Sequence, residues 1–95
     1  MKTKPLNREI VVKSSTDNLS QIRNFIQAAS DEFGIAKEDA GKIMLSVDEA
    51  CTNIIRHAYK GISKGEITIR FNYLPTKIEI IIKDNGKQFN PNIIP

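Results

Sequence analysis

From Ala40 to Ala58 the apolar residues fall at Ala40, Ile43, Met44, Val47, Cys51, Ile54, Ile55 and Ala58. That three-and-four spacing makes one buried stripe along a helix starting near Glu38 and running to about Tyr59. A helix of that length needs a broad apolar surface to lie against, and the chain must supply one elsewhere. Glu49, Asn53 and His57 repeat at intervals of four, so they stack in a second row along the same helix. A carboxamide and an imidazole in line with a carboxylate solvate a surface less well than a row of Lys, Glu and Arg does. The row suits a metal-bound phosphate with a base beside it.

The apolar surface comes from segments that alternate with period two. In Glu66–Tyr73, Ile67, Ile69, Phe71 and Tyr73 point one way and Glu66, Thr68, Arg70 and Asn72 the other, which predicts a strand with one buried face. Leu74-Pro-Thr76 predicts a turn. Lys77–Lys83 predicts the returning strand, with Ile78, Ile80 and Ile82 inward and Ile81 partly covered on the opposite face. Nearer the start, Glu9–Lys13 predicts a short strand, and Ser14-Ser-Thr-Asp17 supplies cap oxygens for a helix. Leu19, Ile22, Phe25, Ile26, Ala29 and Phe33 give that helix its stripe, and Gly34 is placed to end it in a left-handed conformation. Lys60–Gly65 predicts a loop. Gly41, early in the second helix, costs about 1 kcal/mol against alanine, and close helix packing would explain its presence. The elements sum to an α+β fold: a two-layer sandwich with helices on one face of a mostly antiparallel sheet.

At 95 residues the chain suits a single small domain, burying roughly 60–65% of its unfolded surface. The charge of +3 is scattered, and aromatic residues do not interleave with basic ones. Direct nucleic-acid binding is therefore not expected. No apolar run approaches the roughly 20 residues of a membrane span, and no apolar signal segment follows Met-Lys-Thr-Lys-Pro. Cys51 is the only cysteine and lies on the apolar stripe, as a small buried hydrophobe would. A cytoplasmic location is the expectation.

The second chemical signal is Ile78-Glu-Ile-Ile-Ile-Lys-Asp-Asn-Gly-Lys-Gln-Phe-Asn-Pro91, a strand that runs straight into Asp84-Asn85-Gly86. A carboxylate at a strand end, followed by a glycine that allows close backbone approach, can hold a base or a phosphate. Taken singly, Glu49 is an ordinary solvated helix glutamate, Asn53 could bond a neighbouring loop and Asp-Asn-Gly is a common turn. Their order, Glu-x-x-x-Asn on a helix, then two strands, then Asp-x-Gly at a strand end, is far more restrictive.

That ordered set resembles the ATP-binding domain shared by gyrase, the heat-shock chaperone, histidine kinases and mismatch-repair ATPases. Within it, Asp48-Glu-Ala-Cys-Thr-Asn-Ile-Ile-Arg-His-Ala-Tyr59, Gly65-Glu-Ile-Thr-Ile-Arg70 and Asp84-Asn-Gly-Lys-Gln-Phe89 look most like the anti-sigma factor serine kinases. These bacterial regulators sequester a sigma factor and phosphorylate an anti-anti-sigma protein. The resemblance runs from about Ile10 to the end of the chain. It implies that Glu49 is the general base, that Asn53 binds Mg2+ and that Asp84 accepts from the adenine amino group of ATP while Gly86 lets the backbone close on the base. His57 would either face the phosphates or support the loop after the helix. Arg56 would either reach phosphate or remain a surface charge, and Phe89 would pack beneath a lid.

Members of that superfamily continue past Asp-x-Gly into a lid and a second glycine-rich motif, whereas this sequence stops at Pro95. The expectation is therefore a partial histidine-kinase-like domain over residues 1–95, carrying half of a nucleotide site. Ile80-Ile81-Ile82 would lie at or near an uncovered sheet edge, and such edges pair with other chains. Homodimerisation or another form of self-association follows. The alternative function is a non-catalytic interaction module that keeps only the fold.

Overall fold

A computed structural model describes residues 6–59, 65–84 and 87–89, with side chains for all of these except 57–59 and 87–89. The elements are strand β1 (Leu6–Lys13), a 3-10 turn (Thr16–Asn18), helix α1 (Leu19–Phe33), helix α2 (Lys37–Tyr59), and strands β2 (Glu66–Tyr73), β3 (Ile78–Asp84) and β4 (Lys87–Phe89). The strands form one sheet in the order β1-β2-β3-β4, with every pair antiparallel.

Alternation along the strands explains the two layers. Ile67, Ile69 and Phe71 of β2 and Ile80 and Ile82 of β3 are buried, as is Val12 of β1. They meet Ile22, Ile26, Ala29 and Phe33 of α1 and Ile43, Val47, Cys51, Ile54 and Ile55 of α2 in one core. Phe33 fixes the last turn of α1 to the sheet. Its ring meets Phe71 edge-on at 5.3 Å and stacks on Tyr73 at 5.5 Å. The Arg8 guanidinium lies 5.8 Å from the Phe33 ring centroid and pairs with Glu32. The same turn of α1 is thus held to β1 as well.

Gly34 ends α1 as expected, at φ 69° and ψ 31°. The Gly34 N–H donates to the Asp31 carbonyl and the Ile35 N–H to the Ser30 carbonyl. These are the two bonds of a Schellman cap, which satisfies carbonyls the helix leaves open.

Four expectations are corrected. The first strand begins at Leu6 rather than Glu9, pairing in register from Leu6 opposite Tyr73 to Lys13 opposite Glu66. The Ser15 hydroxyl caps the 3-10 turn by accepting from the Asp17 N–H, and not α1 itself. At α1, Asn18 occupies the cap position but donates its side-chain amide back to the Lys13 carbonyl. Gly41 makes no close packing, since a Cβ added there would meet nothing within 4 Å. Finally, β3 is not wholly an uncovered edge. Its end, Ile82–Asp84, pairs with the three-residue β4, and among the described residues only Ile78–Ile81 lacks an outer partner. The expected loop at 60–64 lies outside the described residues.

Candidate functional site

Helix α2 carries the polar row on the side away from its buried stripe. Glu49 and Asn53 are exposed and sit one turn apart, about 5–6 Å between their Cβ atoms. Together with Asp48, Thr52 and Arg56 they line an open depression of about 290 Å³. His57 belongs to the helix by its backbone, and its side chain lies outside the described residues.

Asp48, Thr52 and Arg56 also step by four, so the depression is built from two adjacent rows of one helix. Only the first row stood out in the sequence. Asp48 is half-buried and accepts from Arg23 Nε of α1 at 2.8 Å. Its charge is therefore engaged by a partner 25 positions away, and no spacing rule reveals that. Glu49, next along the chain, makes no ion pair or hydrogen bond among the described residues. It is the carboxylate of the depression left open to an incoming group. Arg56 is exposed on the same rim, close enough in sequence to Asn53 to share a turn with it.

Asp84 is placed by strand geometry. It ends β3 opposite Ile67. Side chains alternate along a strand, so Asp84 points to the same side as Ile80 and Ile82, the side that the helices cover. It is half-buried there. The inward row of β3 thus changes from isoleucine to carboxylate at its final step, where the core gives way to a polar group. Gly86 lies outside the described residues.

Beneath the polar rows, Cys51 is fully buried. Burial, and secondarily the Asp48 charge, push its thiol up to about 12. It is a neutral packing group rather than a nucleophile. Among the described residues, no group of three or more His, Cys, Asp or Glu could hold a metal. A metal here would take a single neutral oxygen from Asn53, with Glu49 one turn away. Hard oxygen donors of this kind suit Mg2+, which binds few protein groups and keeps waters and phosphate oxygens. No described helix is long and apolar enough to cross a membrane.

The family model described as histidine kinase-like ATPase domain matches residues 12–95. The chain is 35% identical to serine-protein kinase RsbW of Bacillus mycoides over 82 residues, covering 86% of this chain and 51% of the relative. The protein of the same name from Bacillus cereus (strain ATCC 10987) is 34% identical over 84 residues, covering 88% and 52%. That from Bacillus subtilis (strain 168) is 30% identical over 82 residues, covering 86% and 51%. The chain spans about half the length of the curated relatives it matches. With its two helices on one face of an antiparallel sheet and a family match over most of its length, the chain belongs to the histidine kinase-like ATPase domain family.

Proposed function

We propose that this chain carries adenine- and magnesium-binding residues of the ATP site of a serine kinase that acts as an anti-sigma factor. Two observations carry the reading: Glu49 and Asn53 share one depression on α2, and Asp84, which does not line that depression, lies on the helix-covered side at the end of β3. Similarity to the RsbW serine-protein kinases supports the choice of kinase within the family.

In this reading, the Asp84 carboxylate accepts from the exocyclic amino group of adenine. It is held for that role by the β2 pairing at Ile67. Gly86 leaves room for the base beside the backbone. The Asn53 carboxamide oxygen supplies the protein's donor to Mg2+, which when bound neutralises charge on the phosphates. Glu49 accepts the proton of a partner's serine hydroxyl as that oxygen attacks the γ-phosphorus, and the bond to the β-phosphate oxygen breaks. Helix α2 holds Glu49 and Asn53 one turn apart on a rigid element, so the base and the metal donor keep a fixed separation. His57 sits one further turn along and either faces the phosphates or supports the loop that follows.

The partners are a sigma factor, which is sequestered, and an anti-anti-sigma protein, which receives the phosphate. The location is the cytoplasm, where both would be met. The test is transfer of labelled γ-phosphate from ATP to a serine of an anti-anti-sigma domain, with Glu49→Gln beside the wild type. The reading expects transfer to fall by about 10²-fold or more in the variant while ATP binding is kept. Equal transfer by both proteins would remove Glu49 from the chemistry. ATP binding without any transfer would favour the non-catalytic interaction module.

A further inference from the structure

Helix α2 carries an exposed apolar side chain beside the candidate base. Leu45 is 61% exposed, ahead of Val11 at 49% and Leu6 at 39%, which lie on β1. Counting by fours along α2 gives Gly41, Leu45, Glu49 and Asn53. Leu45 therefore stands one turn before Glu49, as Asn53 stands one turn after it.

A single exposed leucine is ordinary on a protein surface, and what sets this one apart is its surroundings. A Cβ built at Gly41 would meet nothing within 4 Å, the Leu45 side chain included, so Leu45 is open on the side away from Glu49. Gly41 also lines an open depression of about 510 Å³ along α1 and α2, with the half-buried Ile35, Ala40 and Met44. Apolar surface thus borders the site on the N-terminal side of Glu49, and polar groups border it on the C-terminal side.

The direction of approach follows from the chemistry. In-line phosphoryl transfer sets the attacking and leaving oxygens on opposite sides of the γ-phosphorus. Asn53, as the donor to Mg2+, draws metal and phosphates to the C-terminal side of Glu49. The attacking serine then enters from the N-terminal side, over Leu45. The Cβ atoms of Leu45 and Glu49 are about 5–6 Å apart. A hydroxyl within hydrogen-bond reach of Glu49 therefore brings the neighbouring surface of its own protein onto Leu45. The adenine base does not compete for this place, because its carboxylate partner, Asp84, ends β3.

We infer that Leu45 is a specificity-determining contact for the phosphoacceptor protein, taking an apolar side chain that adjoins the acceptor serine. The inference rests on the kinase reading for the side from which the serine arrives. Burial of Leu45 in that complex contributes affinity for the protein substrate and none for the nucleotide. Its effect falls on KM for the protein rather than on kcat. Being largely exposed in the free chain, Leu45 can be replaced at little cost to the fold.

The test is calorimetric binding of an anti-anti-sigma domain to the 95-residue chain with Mg-ATP present, for wild type, Leu45→Gln and Leu45→Met. Leu45→Gln keeps the length of the side chain and removes its apolar character, and should raise Kd for the domain about tenfold or more. Leu45→Met should stay within about threefold of wild type. Mg-ATP affinity and melting temperature should be unchanged in both. Replacing the apolar residue of the domain nearest its acceptor serine with Gln should cause a similar loss, and the two changes together should cost less than the sum of their separate effects. A domain that binds without being phosphorylated, its affinity still lowered by Leu45→Gln, would end the kinase reading and leave the docking role standing. Wild-type affinity in Leu45→Gln, no binding of the domain by the wild type, or equal loss of Mg-ATP and domain binding would each overturn the inference.

Discussion

Arg23 of α1 donates through Nε to Asp48 Oδ1 of α2 at 2.8 Å, one residue before Glu49. This ion pair ties the two helices beside the candidate site. Both side chains are partly exposed, at 49% and 30%. Salt screens such pairs. Arg23→Ala should lower the melting temperature slightly at low ionic strength, and the gap from wild type should narrow as salt rises. Thermal unfolding at two salt concentrations measures both effects. A gap that salt leaves unchanged would mean that Arg23 acts through its aliphatic stem rather than its charge.

Ser30 is 1% exposed, and its hydroxyl has no hydrogen-bond partner among the described residues. A buried polar group left unpaired costs about 1–3 kcal/mol, and alanine is also the better helix former. Ser30→Ala should therefore stabilise the fold by about 1 kcal/mol or more, measured as a rise in the urea midpoint at constant slope. A loss of stability would show that the hydroxyl has a partner after all.

Gly41 offers a second stabilising change. A Cβ there meets nothing within 4 Å, and no positive φ is found at this position. Gly41→Ala should add about 1 kcal/mol, or roughly 4–8 °C for a domain of this size. Differential scanning calorimetry decides it, and an unchanged or lowered transition would point to a packing role that the open surroundings do not suggest.

Gly41 also shows where sequence reasoning stops. A glycine inside a helix announces a departure from propensity, but not whether a neighbour is close. The long stripe from Ala40 to Ala58 and the alternation of Glu66–Tyr73 were legible because each repeats its period over several turns or pleats. Strand β4 was not, because three residues after Asp84-Asn-Gly carry no period and form a strand only where β3 offers an edge. At the site, Glu49 and Asn53 were legible from their spacing and chemistry. Asp48 has the same four-residue relation to Thr52 and Arg56, yet what distinguishes it is Arg23 on another helix. Asp84 was read as a strand-end carboxylate. Its direction follows from the inward parity of Ile80 and Ile82, which the sequence also carries.

Alkaline pH should expose the burial of Cys51. Its thiol is raised from an ordinary value of 9.0 to about 12, so between those values the folded chain keeps a proton that the unfolded chain has lost. The unfolded state is then favoured as pH rises, by up to about 1.4 kcal/mol per pH unit. Below pH 9 this effect is absent. The stability advantage of wild type over Cys51→Ala, large at neutral pH because the substitution leaves a cavity, should therefore shrink above pH 9. Urea unfolding of both proteins from pH 7 to 10.5 follows the difference, and parallel curves would mean that the thiolate is tolerated in the core.

The central claim is that α2 and the end of β3 together hold a nucleotide. Calorimetric titration of the 95-residue chain with Mg-ATP, beside a folded Asp84→Asn control, tests it most directly. The account predicts saturable binding by the wild type that is strongly weakened in the control, because the neutral amide keeps only one acceptor oxygen and loses the charge that strengthens the bond from the adenine amino group. No saturable binding by a folded wild-type chain, or equal binding by both proteins, would contradict it.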